Sequence, residues 1–519
     1  MDKMDFKQNR ETFSSNCIIL ESSCEQAVER DFVLPDYYPD IFRVLKCCVY
    51  PRVVSSSING DKLSFELSVV VRVLYQTEGS GKINCIEQKM SYSKSVDMSG
   101  SCQNILVKIV PRTDYVNCRV VNQRRLDVRG AVTCAVKVTG EKKQAVVVDA
   151  FGGNIQLKKS VVTYPSKRLT ASKRITIIEE LEIAQSKPKI DTVLKSSCIA
   201  FPQEQKIIAG KLVTKGELEI SVLYTSASED NSDTAEVMKY TLPYSQIIDV
   251  EGIDEGYEAN ADIVTVDCEA MPKGDNDTLE CEIMMQINCT AVKYETCEIV
   301  TDAYSICYEC EIEKSSCRLE GMPSSINESH TSEAKLVYND ENIHCVYDVQ
   351  ASVDNVSSRY DSEGKKFVIS GNVCFSLLGK NDSNCPIYIE TDTPFEHDIP
   401  ISENCVGENS TVDPKVCVKT CSYHLSDSNT ADVTAELQIG GYLYESCAKT
   451  IISDLKVLMD KPKSKEQNYA LKLCYCEDNE DIWEIAKKYS TSVIAIMEEN
   501  NLESDKAVSC GMLLIPLMN

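Results

Sequence analysis

Histidine and tryptophan are nearly missing from this chain. The four histidines are His330, His344, His397 and His424, and the one tryptophan is Trp483. Nothing upstream of residue 330 can therefore supply the imidazole of a Ser/His or Cys/His catalytic arrangement. His424 lies near Cys421 in sequence, but a histidine that is simply solvated or hydrogen-bonded is the plainer reading. Positive charge is also in deficit, 54 Lys and Arg against 80 Asp and Glu, for a net charge of −26. Nucleic acid and anionic membrane surfaces repel such a chain and are poor partners for it, so neither nucleic-acid binding nor membrane insertion is expected; a basic protein face, or simple solubility, fits better. No apolar run reaches the length of a bilayer span. Met1-Asp2-Lys3-Met4-Asp5-Phe6 lacks the charged-then-apolar layout of an export signal, so an intracellular location is expected. Glycine-rich phosphate loops are absent, and with them the case for a nucleotide cofactor. Cys307-x-x-Cys310 has no second pair to complete a zinc site, and Cys474-x-Cys476 has the alternation of a strand. The acidic runs Glu229-Asp230, Asp275-Asn276-Asp277 and Glu477-Asp478 lack the ligand spacing of a calcium loop. No carboxylate pair stands out for glycoside hydrolysis. The expectation is a non-enzyme without metal or cofactor.

What is abundant is cysteine, 26 residues, many in strand-like runs such as those of Cys134, Cys281, Cys289, Cys374 and Cys447. There a free thiol acts as a small buried hydrophobe, which suits a reducing compartment. At 519 residues the chain is too long for one core. It repeats itself. Pro39-x-Ile41-x-x-Val44-Leu45-Lys46 recurs as Pro188-x-Ile190-x-x-Val193-Leu194-Lys195, and Val73-Leu74-Tyr75 recurs in the same register as Val222-Leu223-Tyr224. A weaker third copy joins at Gly371-x-Val373-x-Phe375-Ser376-Leu377-Leu378, which follows Gly216-x-Leu218-x-Ile220-Ser221-Val222-Leu223; it has no evident Pro-x-Ile segment. Inside each copy the apolar period is two, as in Phe65, Leu67, Val69, Val71 and Val73, the mark of strands with one buried face. The fold expected is mainly β: three sandwich-like domains in series (16–150, 170–310 and 334–459), with linkers at 152–168, 314–333 and 460–466, then a small βααβ domain at 468–517.

That last segment has its own logic. Tyr469 to Tyr475 reads as a strand, and Asp481 with Glu484 three residues on makes a capping box for a helix that places Ile482, Ile485, Ala486 and Tyr489 on one face. Thr491-Ser492 starts a second short helix containing Ile496, and Gly511 to Pro516 closes as a strand. Through Tyr469, Ile482-Trp483-x-Ile485-Ala486-x-x-Tyr489, Ile496, Asn500-x-Leu502 and Leu514-Ile515-Pro516 the segment resembles a LysM domain. Glycan-binding members carry a Gly-Asp-Ser/Thr turn where this chain has Asn479-Glu480-Asp481, and nine acidic residues face four lysines in residues 469–519. That balance favours a protein partner over a neutral sugar. By the resemblance, Trp483, Ile485, Ala486, Tyr489 and Ile515 form the small core, and Asn479, Glu480, Asp481, Ile482, Asn500 and Leu502 flank the binding groove.

Upstream, Asp31-Phe32-Val33-Leu34-Pro35-Asp36-Tyr37-Tyr38-Pro39-Asp40-Ile41 and the strands after it resemble the SPOCS domain, once called domain of unknown function 3794. Tandem SPOCS domains ending in one LysM domain resemble the SipL-like spore-coat morphogenetic proteins of anaerobic spore-formers. The resemblance implies a scaffold at the forespore surface, assembled in the mother-cell cytoplasm, whose LysM domain binds the stage IV sporulation protein A ATPase. The competing readings are a peptidoglycan-binding protein of the spore envelope and an enzyme with its site hidden in the β units.

Overall fold

Alternating apolar positions pair into long antiparallel ladders in the computed structural model, which describes residues 6–78, 82–98, 102–226, 235–274, 277–401, 410–464, 470–477, 480–504 and 511–517. The first unit contains β1 (Lys7–Val33), β2 (Ile41–Asn59), β3 (Lys62–Thr77), β4 (Ile83–Asp97), β5 (Gln103–Asn122) and β6 (Arg125–Phe151). Its two sheets, ordered β1-β6-β5 and β2-β3-β4, face each other over a core that includes Leu67, Val69, Val71, Leu126 and Val128. The second unit repeats this plan with β7 (Ile155–Glu182), β8 (Ile190–Ile208), β9 (Lys211–Ser226), β10 (Ala235–Asp249), β11 (Tyr257–Lys273) and β12 (Thr278–Ser305). The third uses β13 (Tyr308–Glu320), β14 (Ser324–Val337), β15 (Ile343–Asp361), β16 (Lys366–Asn381), β17 (Pro386–Pro400), β18 (Thr411–Asp427), β19 (Thr430–Tyr444) and β20 (Ser446–Pro462). Here the long outer strand is broken at Gly321-Met322-Pro323, where proline has no N–H to give a ladder.

The three units are not strung in series; they close a ring. β4 meets β8, β10 meets β15, and β17 returns to β2. On the ring's axis Leu74, Leu223 and Leu378 pack together with Leu45, Leu194 and Tyr347. The last three are the residues skipped by a β-bulge in β2, β8 and β15, and the extra residue turns each side chain out of its own sandwich. The stretches expected as linkers at 152–168 and 314–333 are largely strand. The amino-terminal half of β1 with the end of β6, β7 with the end of β12, and β13 with β20 form three ladders that bundle into a stalk. Val146, Ile299 and Ile451 meet in one layer of it, and Val147, Val300 and Ile452 in the next. A bulge follows each pair, at Val148, Thr301 and Ser453, and each bulge sets an aspartate against a base on another ladder. These ion pairs are Asp149 with Lys159, Asp302 with Lys314 and Asp454 with Arg10.

A small terminal domain follows, with β21 (Leu471–Cys476), α1 (Ile482–Tyr489), α2 (Val493–Glu499) and β22 (Gly511–Pro516). Among the described residues no helix is long and apolar enough to cross a membrane.

Candidate functional site

The terminal domain is built around Trp483. The Asp481 carboxylate caps α1 by accepting from the Trp483 backbone N–H at 2.9 Å, and Ser492 caps α2 by accepting from Ala495 N–H. Ile482, Ile485, Ala486, Ile496, Leu513 and Ile515 bury together with the indole, and Tyr489 packs at the rim. This core is shared with the stalk. Tyr304 and Ile306, at the end of β12, complete it, and the Tyr304 ring meets the indole edge-on at 4.9 Å. Trp483 Nε1 donates to Asp302 Oδ2 at 2.8 Å, Lys487 Nζ donates to the same oxygen at 2.6 Å, and Tyr304 donates its hydroxyl to the Thr491 carbonyl at 2.6 Å. Lys158 reaches Asp481, and Lys463 donates to Ser490. Burial alone would raise the Asp302 carboxyl; hydrogen bonds from Lys487, Trp483 and Lys314 outweigh it and bring it to about 2.

These contacts place the residues expected to line a groove. Asn479 lies outside the described residues. The Glu480 carboxylate accepts from Glu477 N–H. Asp481 is committed to its cap and to Lys158, and Ile482 has no exposed surface. Asn500 donates to the Ile496 and Leu514 carbonyls and accepts from Leu514 N–H, so its amide ties α2 to β22. Leu502 is half-buried, on a shallow depression shared with Ile494, Met497, Glu498 and Asn501. Asp481, Ile482 and Asn500 are thus fold-holding residues, because a domain this small needs them for caps and core.

The open apolar surface lies elsewhere. Leu473 is 65% exposed, Tyr475 70% and Met512 70%, and Leu471 joins them along the outer face of the β21–β22 ladder. Leu471 pairs with Pro516, Leu473 with Leu514, and Tyr475 with Met512, so the three rows form one continuous strip. Period two in Leu471-x-Leu473-x-Tyr475 was the available signal, but it does not say which face of a lone two-stranded ladder is covered.

The remaining polar clusters are small. Lys46, Arg72, Lys195 and Asp348 line a cavity of about 40 Å³ on the ring axis, the space of a few waters, with Lys46 paired to Glu390 and Arg72 to Glu87. His397 bonds Glu328 at 2.6 Å, with the His330 ring 5.8 Å away. Cys421 and His424 stand three residues apart on β18, which directs them to opposite faces. Cys307 packs against the terminal domain, while Cys297 and Cys317 lie in the stalk core.

One contact explains why two motifs repeat in one register. Tyr75 donates its hydroxyl to the Pro39 carbonyl at 3.2 Å, and Tyr224 donates to Pro188 at 3.1 Å. Both tyrosines are fully buried, and each holds the turn that opens its unit. Residues 40–121 and 189–273 match the family model of the SipL, SPOCS domain. Both SPOCS matches begin within that turn and end in the second strand after the central one, at β5 and β11. They support a sporulation-related, spore-coat role for the chain. The third unit shares the strand order but lies outside the matched residues. Its ladder puts Gly379 where Tyr75 and Tyr224 stand, and Glu341-Asn342-Ile343 where the Pro-x-Ile turns stand, so tyrosine and proline are missing together. No curated protein and no solved structure matches the chain.

Proposed function

We propose that this chain is a non-enzymatic scaffold of the spore coat, acting in the mother-cell cytoplasm at the forespore surface. Its terminal LysM-like domain binds the stage IV sporulation protein A ATPase. The observation that carries the reading is the pair of SPOCS matches on two of three ring-forming units. Two further features support it. The terminal domain is fixed to the stalk through Asp302 and Tyr304, which suits a module held out in one orientation. Its outward strip of Leu471, Leu473, Tyr475 and Met512 has the apolar centre that protein partners bury.

The test is binding of the full chain to the ATPase, with soluble peptidoglycan fragments titrated separately. Leu473→Asp and Tyr475→Glu, both on exposed positions, are expected to weaken ATPase binding at least about tenfold, or about 1.4 kcal/mol, with unchanged circular dichroism. Binding to glycan fragments with none to the ATPase would make the chain an envelope glycan binder and sink the scaffold reading.

A further inference from the structure

Every described cysteine is a free thiol, yet the thiols are not evenly placed. Cys17 Sγ and Cys102 Sγ lie 3.3 Å apart, although 85 positions separate them in sequence. Cys17 sits on β1 opposite Gly140 of β6, and Cys102 stands just before β5, whose first residue, Gln103, faces Glu141. The two thiols thus come from the strands on either side of β6 and meet above it. Gly140 has no side chain to fill the space between them. Both cysteines are partly open to solvent. The buried pair Cys268 and Cys281, at 3.9 Å, is sealed in the second sandwich and has no such access. The sulfurs must approach by about 1.3 Å, from 3.3 Å to the roughly 2.0 Å of a disulfide.

We propose that Cys17 and Cys102 form an oxidation site, which hydrogen peroxide converts into an intramolecular disulfide tying β1 to the entry of β5. The Cys102 thiolate attacks one peroxide oxygen, the O–O bond breaks, and hydroxide leaves and is protonated to water. Cys102 is then a sulfenic acid. The Cys17 sulfur attacks the Cys102 sulfur, the S–S bond forms, and the S–O bond breaks. The departing hydroxide takes up the Cys17 proton as a second water. Two thiols are oxidised and one peroxide is reduced to two waters, so atoms and electrons balance. The same balance holds with the two sulfurs exchanged.

The experiment treats the reduced full chain with hydrogen peroxide, blocks remaining thiols by alkylation, and maps the digest by mass spectrometry. The expected product is one cross-linked peptide pair holding Cys17 and Cys102, about 2 Da lighter than the two reduced peptides together and separated again by dithiothreitol. The urea midpoint of the oxidised chain rises above that of the reduced chain, and this rise is absent in Cys102→Ser. Alkylation of both cysteines after peroxide, or bonds from Cys17 to other cysteines, overturns the proposal, as does a midpoint shift that persists in Cys102→Ser.

Discussion

Asp302 is one of three stalk aspartates that follow a bulge, and it alone receives an indole N–H. Its carboxyl is held at about 2, against an ordinary value of 3.8. A carboxylate depressed on folding adds stability above its ordinary value and loses it as pH falls through the folded one. Docking of the terminal domain is therefore expected to be intact above about pH 4 and to weaken towards pH 2. Trp483 is the only tryptophan, so its emission reports that step without interference. Wild type should show a fluorescence change in this window, and Asp302→Asn should show the altered emission already at neutral pH. An identical acid transition in both proteins would rule Asp302 out as its source. A smaller effect is expected at Tyr224, where Tyr224→Phe removes one hydroxyl-to-carbonyl bond and costs about 0.5–1.5 kcal/mol in urea unfolding.

At the level of strands, glycine marks places where a neighbour has taken the side chain's room. A Cβ on Gly216 would lie 2.1 Å from the Phe201 carbonyl oxygen and 2.9 Å from the Tyr244 ring. Gly371 has the matching relation to Phe395 and the Asp354 carbonyl. Gly216→Ala should destabilise by about 1–3 kcal/mol through overpacking, read as a lower urea midpoint with unchanged far-ultraviolet dichroism. Strand identity and the mainly β class were legible in the sequence, because Phe65 through Val73 and Leu218 through Val222 alternate cleanly. The capping of α1 and α2 was legible too, at Asp481 and Ser492. What period two could not show is that β3 is buried on both faces. Leu74 and Val70 fall on the side that alternation assigns to solvent, yet both are buried, and Leu74 packs against Leu194, Leu223 and Leu378 of the other units. Of the residues expected along the groove, Ile482 and Asn500 look free in a line of sequence, but a small domain leaves little that is not cap or core, and both serve there.

At the level of the molecule, the ring ties the three units into one packing problem. Leu194 is 1% exposed on the shared axis, so Leu194→Ala opens a cavity that belongs to all three units. It should cost about 2–5 kcal/mol and lower one cooperative transition for the whole ring. Selective melting of the second unit would instead show that the units stand alone. Ring closure also limits how such a chain can vary. A solenoid gains or loses repeats at its ends, since each repeat answers only to its neighbours. Here β17 is already seated on β2, and the stalk aspartates are each satisfied by another ladder. A fourth copy has no berth, and removal of one leaves two raw faces. The number of lobes is thereby quantised at three, and the terminal domain is held at the stalk of a closed head.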